Sequence, residues 1–249
     1  MISLLDFIFP KKCVGCGKFG AYFCNGCYNK IEFVDTPVCP VCQRQAVGGK
    51  THPGCAGRFR LDGLVVACRY QDPVKRAIAK VKYKWAYDIE MVFVDLLAQN
   101  LWRFDLPDEV VLVAVPLHSK RENWRGFNQS EILAESLSQK FKVPHLALLS
   151  RNRATQTQVG LKKEERKKNV RGAFAIGSSG QEERKPFDFA QAFGSEAQAR
   201  RGKIMTDVRG QDIILVDDVF TSGATMAECA KVLKRTGAKS VWGMAVALG

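Results

Sequence analysis

Between positions 213 and 225 the chain reads IILVDDVFTSGAT, and this run constrains the fold more than any other. Ile213, Ile214, Leu215 and Val216 are apolar without alternation, the pattern of a strand buried on both faces in the parallel sheet of an α/β domain. Asp217 and Asp218 are expected to emerge at the carboxyl end of that strand, where open α/β sheets keep their ligands. Two neighbouring carboxylates accept hydrogen bonds from the vicinal hydroxyls of a ribose, or share a hydrated magnesium ion with them. Val219 and Phe220 lead into Thr221, Ser222, Gly223, Ala224 and Thr225, where three hydroxyls, small side chains and backbone N–H groups can wrap an anion. A helix is expected next: residues 226–235 contain no Gly or Pro, carry Lys231, Lys234 and Arg235 toward their end, and meet Gly237 just beyond. Its N-terminus would point at the anion. The segment has the makings of a sugar-phosphate cradle.

The first sixty or so residues impose a different constraint, because a module of about that size cannot fold on hydrophobic burial alone. Cys13/Cys16, Cys24/Cys27 and Cys39/Cys42 are three C-x2-C pairs, and His52/Cys55 repeats the spacing. Seven cysteines and one histidine supply eight ligands, the number that two closed tetrahedral zinc sites require. A disulfide framework would need a secreted chain. Residues 1–10 have no basic segment, place Asp6 within their apolar stretch and run straight into Lys11-Lys12-Cys13, so no signal peptide is read there and zinc is preferred. Sequential and crossed pairing of the ligands both stay open, and His52 is the weakest of the eight. Metal is expected to supply part of the module's stability.

Composition fits a cytoplasmic enzyme or binding protein: 46% of residues are hydrophobic and 25% charged. No apolar run approaches the ~18 residues needed to cross a bilayer, so stable membrane insertion is not expected. Residues 4–9 read as a short apolar anchor for the zinc module. The net charge of +13 favours polyanions, whether pyrophosphate, nucleotides or a nucleic-acid backbone. Lys75, Arg76, Lys80, Lys82 and Lys84 form one basic cluster, with Tyr83, Trp85 and Tyr87 beside it as core residues or as platforms for single-stranded bases.

Between the two motifs strands and helices alternate. Strands are expected at 64–70, 110–115, 145–149, 213–216 and 241–248, and helices at 73–83, 89–104 and 130–141, which predicts a mainly parallel sheet flanked by helices. After Pro116 the loop Leu117, His118, Ser119, Lys120, Arg121 offers basic side chains to a pyrophosphate, with His118 a hydrogen-bonding group rather than a general base. Residues 151–170 are polar and too long for a passive connection, and read as a lid.

With these residues in view, the chain resembles the ComF family over nearly its whole length. The resemblance rests on LLDFIFPKKCVGCG near the N-terminus, RENWRGFNQ at 121–129, Arg153, Thr155, Gln158, Leu161, Arg166, Asn169 and Phe174 in the lid, and VDDVFTSGAT. The thirteen positions 213–225 are similar to the 5-phosphoribosyl-1-pyrophosphate (PRPP) motif of type I phosphoribosyltransferases. The resemblance implies a zinc-ribbon module (1–60) joined to a type I phosphoribosyltransferase domain (61–249), and an association with DNA uptake during natural transformation. Two features depart from the pattern. His52 stands where similar chains often have a cysteine, and residues 177–210, rich in Gly, Ser, Gln and charge, look like an insertion.

The implied roles are the 5-phosphate of PRPP at 221–225, ribose hydroxyls on Asp217 and Asp218, and magnesium pyrophosphate near Lys120 and Arg121. Three functions follow: a PRPP-dependent transferase with an unnamed acceptor, a single-stranded-DNA-binding accessory of the import machinery with a helicase partner, and a PRPP sensor without turnover.

Overall fold

A computed structural model describes residues 11–83, 87–153, 163–177 and 208–249. In chain order the strands, and the helices longer than one turn, are β1 (Gly63–Arg69), α1 (Val74–Tyr83), α2 (Tyr87–Ala98), β2 (Val111–Ala114), α3 (Ser119–Arg125), α4 (Gln129–Phe141), β3 (Leu149–Arg151), α5 (Lys163–Val170), β4 (Phe174–Ile176), β5 (Asp212–Phe220), α6 (Ala224–Arg235) and β6 (Ser240–Leu248). The apolar runs of β1, β6, β5 and β2 pair in that order, parallel throughout. Both faces of β5 are covered, as its unalternating sequence requires. Ile214 and Val216 pack with Phe93, Leu133 and Leu137 of α2 and α4, and Ile213 and Leu215 pack with Cys229 and Leu233 of α6. α6 presents Met226, Cys229, Ala230 and Leu233 to the sheet, the i, i+3, i+4, i+7 stripe of an amphipathic helix.

Both sheet edges are closed. Beside β1, Val34 N–H donates to Ala67 O (3.0 Å) and Arg69 N–H to Glu32 O (2.8 Å), so the segment between the two cysteine clusters lies against the edge strand. Beside β2, Leu112 N–H donates to Pro144 O (2.8 Å) and Leu146 N–H to Leu112 O (2.9 Å).

The expected strand at 145–149 is not a sheet strand. Contact with β2 is limited to a single bridge at His145: Pro144 has no N–H to extend it backward, Leu148 N–H turns to Leu146 O (3.1 Å) instead of extending it forward, and the chain leaves to form β3, which pairs antiparallel with β4. The helix expected over 89–104 ends at Ala98. The Asn100 side chain donates to Leu96 O at 2.8 Å, competing with backbone continuation, and a short 3-10 turn follows at Leu101–Arg103. The N-terminal anchor at 4–9, Trp85, the side chains of Tyr83 and Tyr87, the middle of the lid (154–162) and most of the insertion (178–207) lie outside the described residues.

Candidate functional site

β5 does not stop at Val216. Pairing with β6 carries it through Asp217, Asp218 and Val219 to Phe220, opposite Leu248, so the two acids sit in the last turns of the strand rather than beyond it. Successive strand residues face opposite sides, and the two acids have different neighbours. Asp217 Oδ1 accepts from Ser130 Oγ (2.8 Å) and from Asp218 N–H (2.9 Å). Asp218, 9% exposed, has its Oδ2 3.5 Å from Gln129 Nε2, and Gln129 Oε1 accepts from Arg125 at 3.0 Å.

Gln129 and Ser130 reach the acids because Asn128 holds the start of α4. Its Oδ1 caps the helix by accepting from Ser130 N–H (3.1 Å), and its Nδ2 donates to Val115 O (3.1 Å) at the end of β2. Beneath them lies Glu90 on α2, only 3% exposed, with Oε2 lacking a hydrogen-bond partner among the described residues. Burial first, and then the charge of Asp218, push its carboxyl up to about 8. Arg151 on β3 is the cation on the other side. Its pKa is lowered first by burial and then by Arg121, while Cys229 and Asp217 act in the opposite sense.

The segment expected as a basic loop is helical from Ser119. His118 is its N-cap: Nδ1 accepts from Lys120 N–H at 3.2 Å. Lys120 is exposed in the first turn of α3 and Arg121 half-buried. Past Phe220, Gly223 takes φ +71° as the N-cap of α6, and Ala224 N–H lies 3.4 Å from Ser222 Oγ. A Cβ on Gly223 would stand 2.6 Å from Phe220 Cζ, so glycine is required twice over.

The cysteines pair sequentially. The ligand atoms of Cys13, Cys16, Cys24 and Cys27 lie within 4.8 Å of one another, as do those of Cys39, Cys42, His52 and Cys55. A tetrahedron with metal–sulfur bonds of about 2.3 Å has edges of about 3.8 Å, so both sets fit zinc. His52 is equipped for the task. Its Nε2 lies 2.8 Å from Gln45 O, which leaves Nδ1, 3.3 Å from Cys42 Sγ, to present its lone pair to a metal.

Residues 4–56 match the double zinc ribbon domain family and residues 128–248 the phosphoribosyl transferase domain family. Competence protein F of Haemophilus influenzae is 28% identical over 233 residues, covering 89% of each chain. DNA utilization protein YhgH of Salmonella typhimurium is 30% identical over 185 residues, covering 72% of this chain and 68% of its own, and competence protein ComFC of Bacillus subtilis is 25% identical over 221 residues, covering 86% and 78%. The chain belongs to the ComF family. It is an α/β protein with a phosphoribosyltransferase domain and an N-terminal zinc-binding cysteine module.

In this ComF-family chain the acid pair and the 221–225 turn are contiguous, and Arg151 lies within the electrostatic reach of both Asp217 and Arg121. Gln129, Ser130, Arg151 and Glu90 stand near the acid pair, and sequence reading gave them no role toward those two acids. The RENWRGFNQ run held a signal for two of them, since Asn128 before an apolar helical repeat marks an N-cap and Gln129 and Ser130 are the first residues it positions. Glu90, a single acid in an apolar helix, carried none.

Proposed function

We propose that this chain binds PRPP with magnesium and transfers its phosphoribosyl group to an acceptor, as a cytoplasmic step in handling imported DNA. The observation that carries this reading is the meeting of Asp217 and Asp218 with the glycine-capped turn 221–225 at the carboxyl end of a parallel sheet. The 5-phosphate takes the backbone N–H groups and hydroxyls of Thr221, Ser222, Gly223, Ala224 and Thr225, and Val219 and Phe220 carry the strand to that turn. Asp217 and Asp218 accept from the ribose hydroxyls, with Ser130 and Gln129 orienting them.

Lys120 and Arg121, with Arg151 behind them, face the pyrophosphate. Their charge stabilises the leaving group as positive charge develops at C1 of the ribose. The carboxylate oxygens of Asp217 and Asp218 suit magnesium, which when bound would neutralise phosphate charge. Cys13, Cys16, Cys24 and Cys27 hold one zinc ion, and Cys39, Cys42, His52 and Cys55 the other. The role in DNA handling draws on the names of the relatives, competence protein and DNA utilization protein.

A second reading, a PRPP sensor or an accessory that binds single-stranded DNA and a helicase without turnover, draws on the net charge of +13. Calorimetric titration of the zinc-loaded protein with magnesium-PRPP, beside the Asp217→Asn/Asp218→Asn double variant, tests the cradle. Binding in the wild type that disappears in the variant supports it, and a silent wild type rejects it. Pyrophosphate release on adding candidate acceptors separates the transferase from the sensor.

A further inference from the structure

The second zinc-binding cluster touches the phosphate turn through one side chain. Gln43 directly follows Cys42 and sits at φ +59°, a left-handed conformation that few residues other than glycine adopt. The metal-binding knuckle holds it there: Gln43 N–H donates to Cys39 O (2.9 Å), Cys39 N–H to Arg44 O (2.9 Å) and Ala46 N–H to Pro37 O (2.8 Å). From this position Gln43 Nε2 donates to Thr221 O at 2.7 Å, across 178 positions of sequence. Thr221 opens the turn 221–225.

The bond orients the turn's backbone. In a trans peptide the carbonyl and the following N–H point in opposite directions. The peptide joining Thr221 to Ser222 is trans, so fixing its carbonyl toward Gln43 turns Ser222 N–H to the other side. Without that anchor the tilt of the peptide plane is less constrained, and the N–H groups of a phosphate cradle act only when they converge.

We infer that Gln43 is a positioning residue, through which the Cys39/Cys42/His52/Cys55 knuckle sets the backbone of the turn that receives the phosphate. The inference rests on the PRPP reading of that turn. It gives the zinc module a share in the sugar-phosphate site, in addition to its own fold.

The test uses the full-length, zinc-loaded chain and two variants. Gln43→Glu keeps the size of the side chain but replaces the donor with a carboxylate, and Gln43→Gly removes the side chain while relaxing the backbone at φ +59°. Zinc content and amide hydrogen exchange over residues 222–225 are measured without ligand, and magnesium-PRPP affinity by calorimetry. The expected result is unchanged zinc content, faster exchange in the turn and about tenfold weaker PRPP binding in both variants. Unchanged exchange overturns the inference whatever PRPP does. Faster exchange with unchanged affinity also overturns it, reducing Gln43 to a docking contact. A wild type that does not bind PRPP rejects the cradle reading, and the inference with it, before any variant is compared. Loss of zinc from Gln43→Glu is checked against Gln43→Gly; loss from both makes Gln43 a support of the knuckle and overturns the inference.

Discussion

Gly223 and Glu90 show how single residues set the terms of the site. Alanine at 223 would need φ +71° and would bring its Cβ to 2.6 Å from the ring of Phe220, itself 1% exposed. Gly223→Ala is expected to cost on the order of 1–3 kcal/mol, read as a fall in Tm of several degrees, and to weaken PRPP binding because the turn must shift. Glu90 predicts a pH dependence. Its carboxyl is raised in the folded chain from 4.5 to about 8, first by burial and then by Asp218. The folded state thus holds a proton that the unfolded state gives up. The stability contributed is fully present below about 4.5 and is lost as pH rises through about 8. Urea midpoints measured from about pH 5 to about pH 9 are expected to fall in the wild type and to fall less in Glu90→Gln, which cannot ionise.

At the scale of elements, the site depends on where α4 begins. Asn128 caps that helix and ties it to the end of β2, so Asn128→Ala removes both bonds. It is expected to cost about 1–2 kcal/mol in denaturant unfolding and to release Ser130 from Asp217, lowering PRPP affinity as well. The two zinc sites are expected to differ in effect. Cys42→Ser, beside Gln43, should reduce both zinc content and PRPP affinity, while Cys16→Ser should reduce zinc content with much less effect on PRPP. Metal analysis paired with calorimetry on the two variants checks the contrast.

At the scale of the whole molecule, the cysteine module and the sheet share apolar cores. Val14, Phe23 and Ile31 pack with Val65, Ile78 and Phe93, and Val34 and Val38 join the cluster of Leu215 and Leu233. Removing zinc should therefore lower the melting temperature of the entire chain, in a single calorimetric transition, instead of melting the N-terminal module alone. Two separate transitions would show that the shared cores are too weak to couple them. No helix among the described residues is long and apolar enough to cross a membrane.

Local pattern was enough for the α/β class with a mainly parallel sheet and for the cysteine knuckles, because each is written in residues a few positions apart. An unalternating apolar run marks a buried strand and a C-x2-C pair brings two thiols together wherever it occurs. Strand limits were less legible: β5 outruns its apolar residues because β6 continues to pair with it through Asp217 and Asp218. The sequence by itself determined the chemistry available to this protein. Tertiary structure alone decided which distant groups tune it, because Ser130 meets Asp217 across 87 positions and Gln43 meets Thr221 across 178, contacts that exist only once the sheet has closed and the knuckle has docked on it.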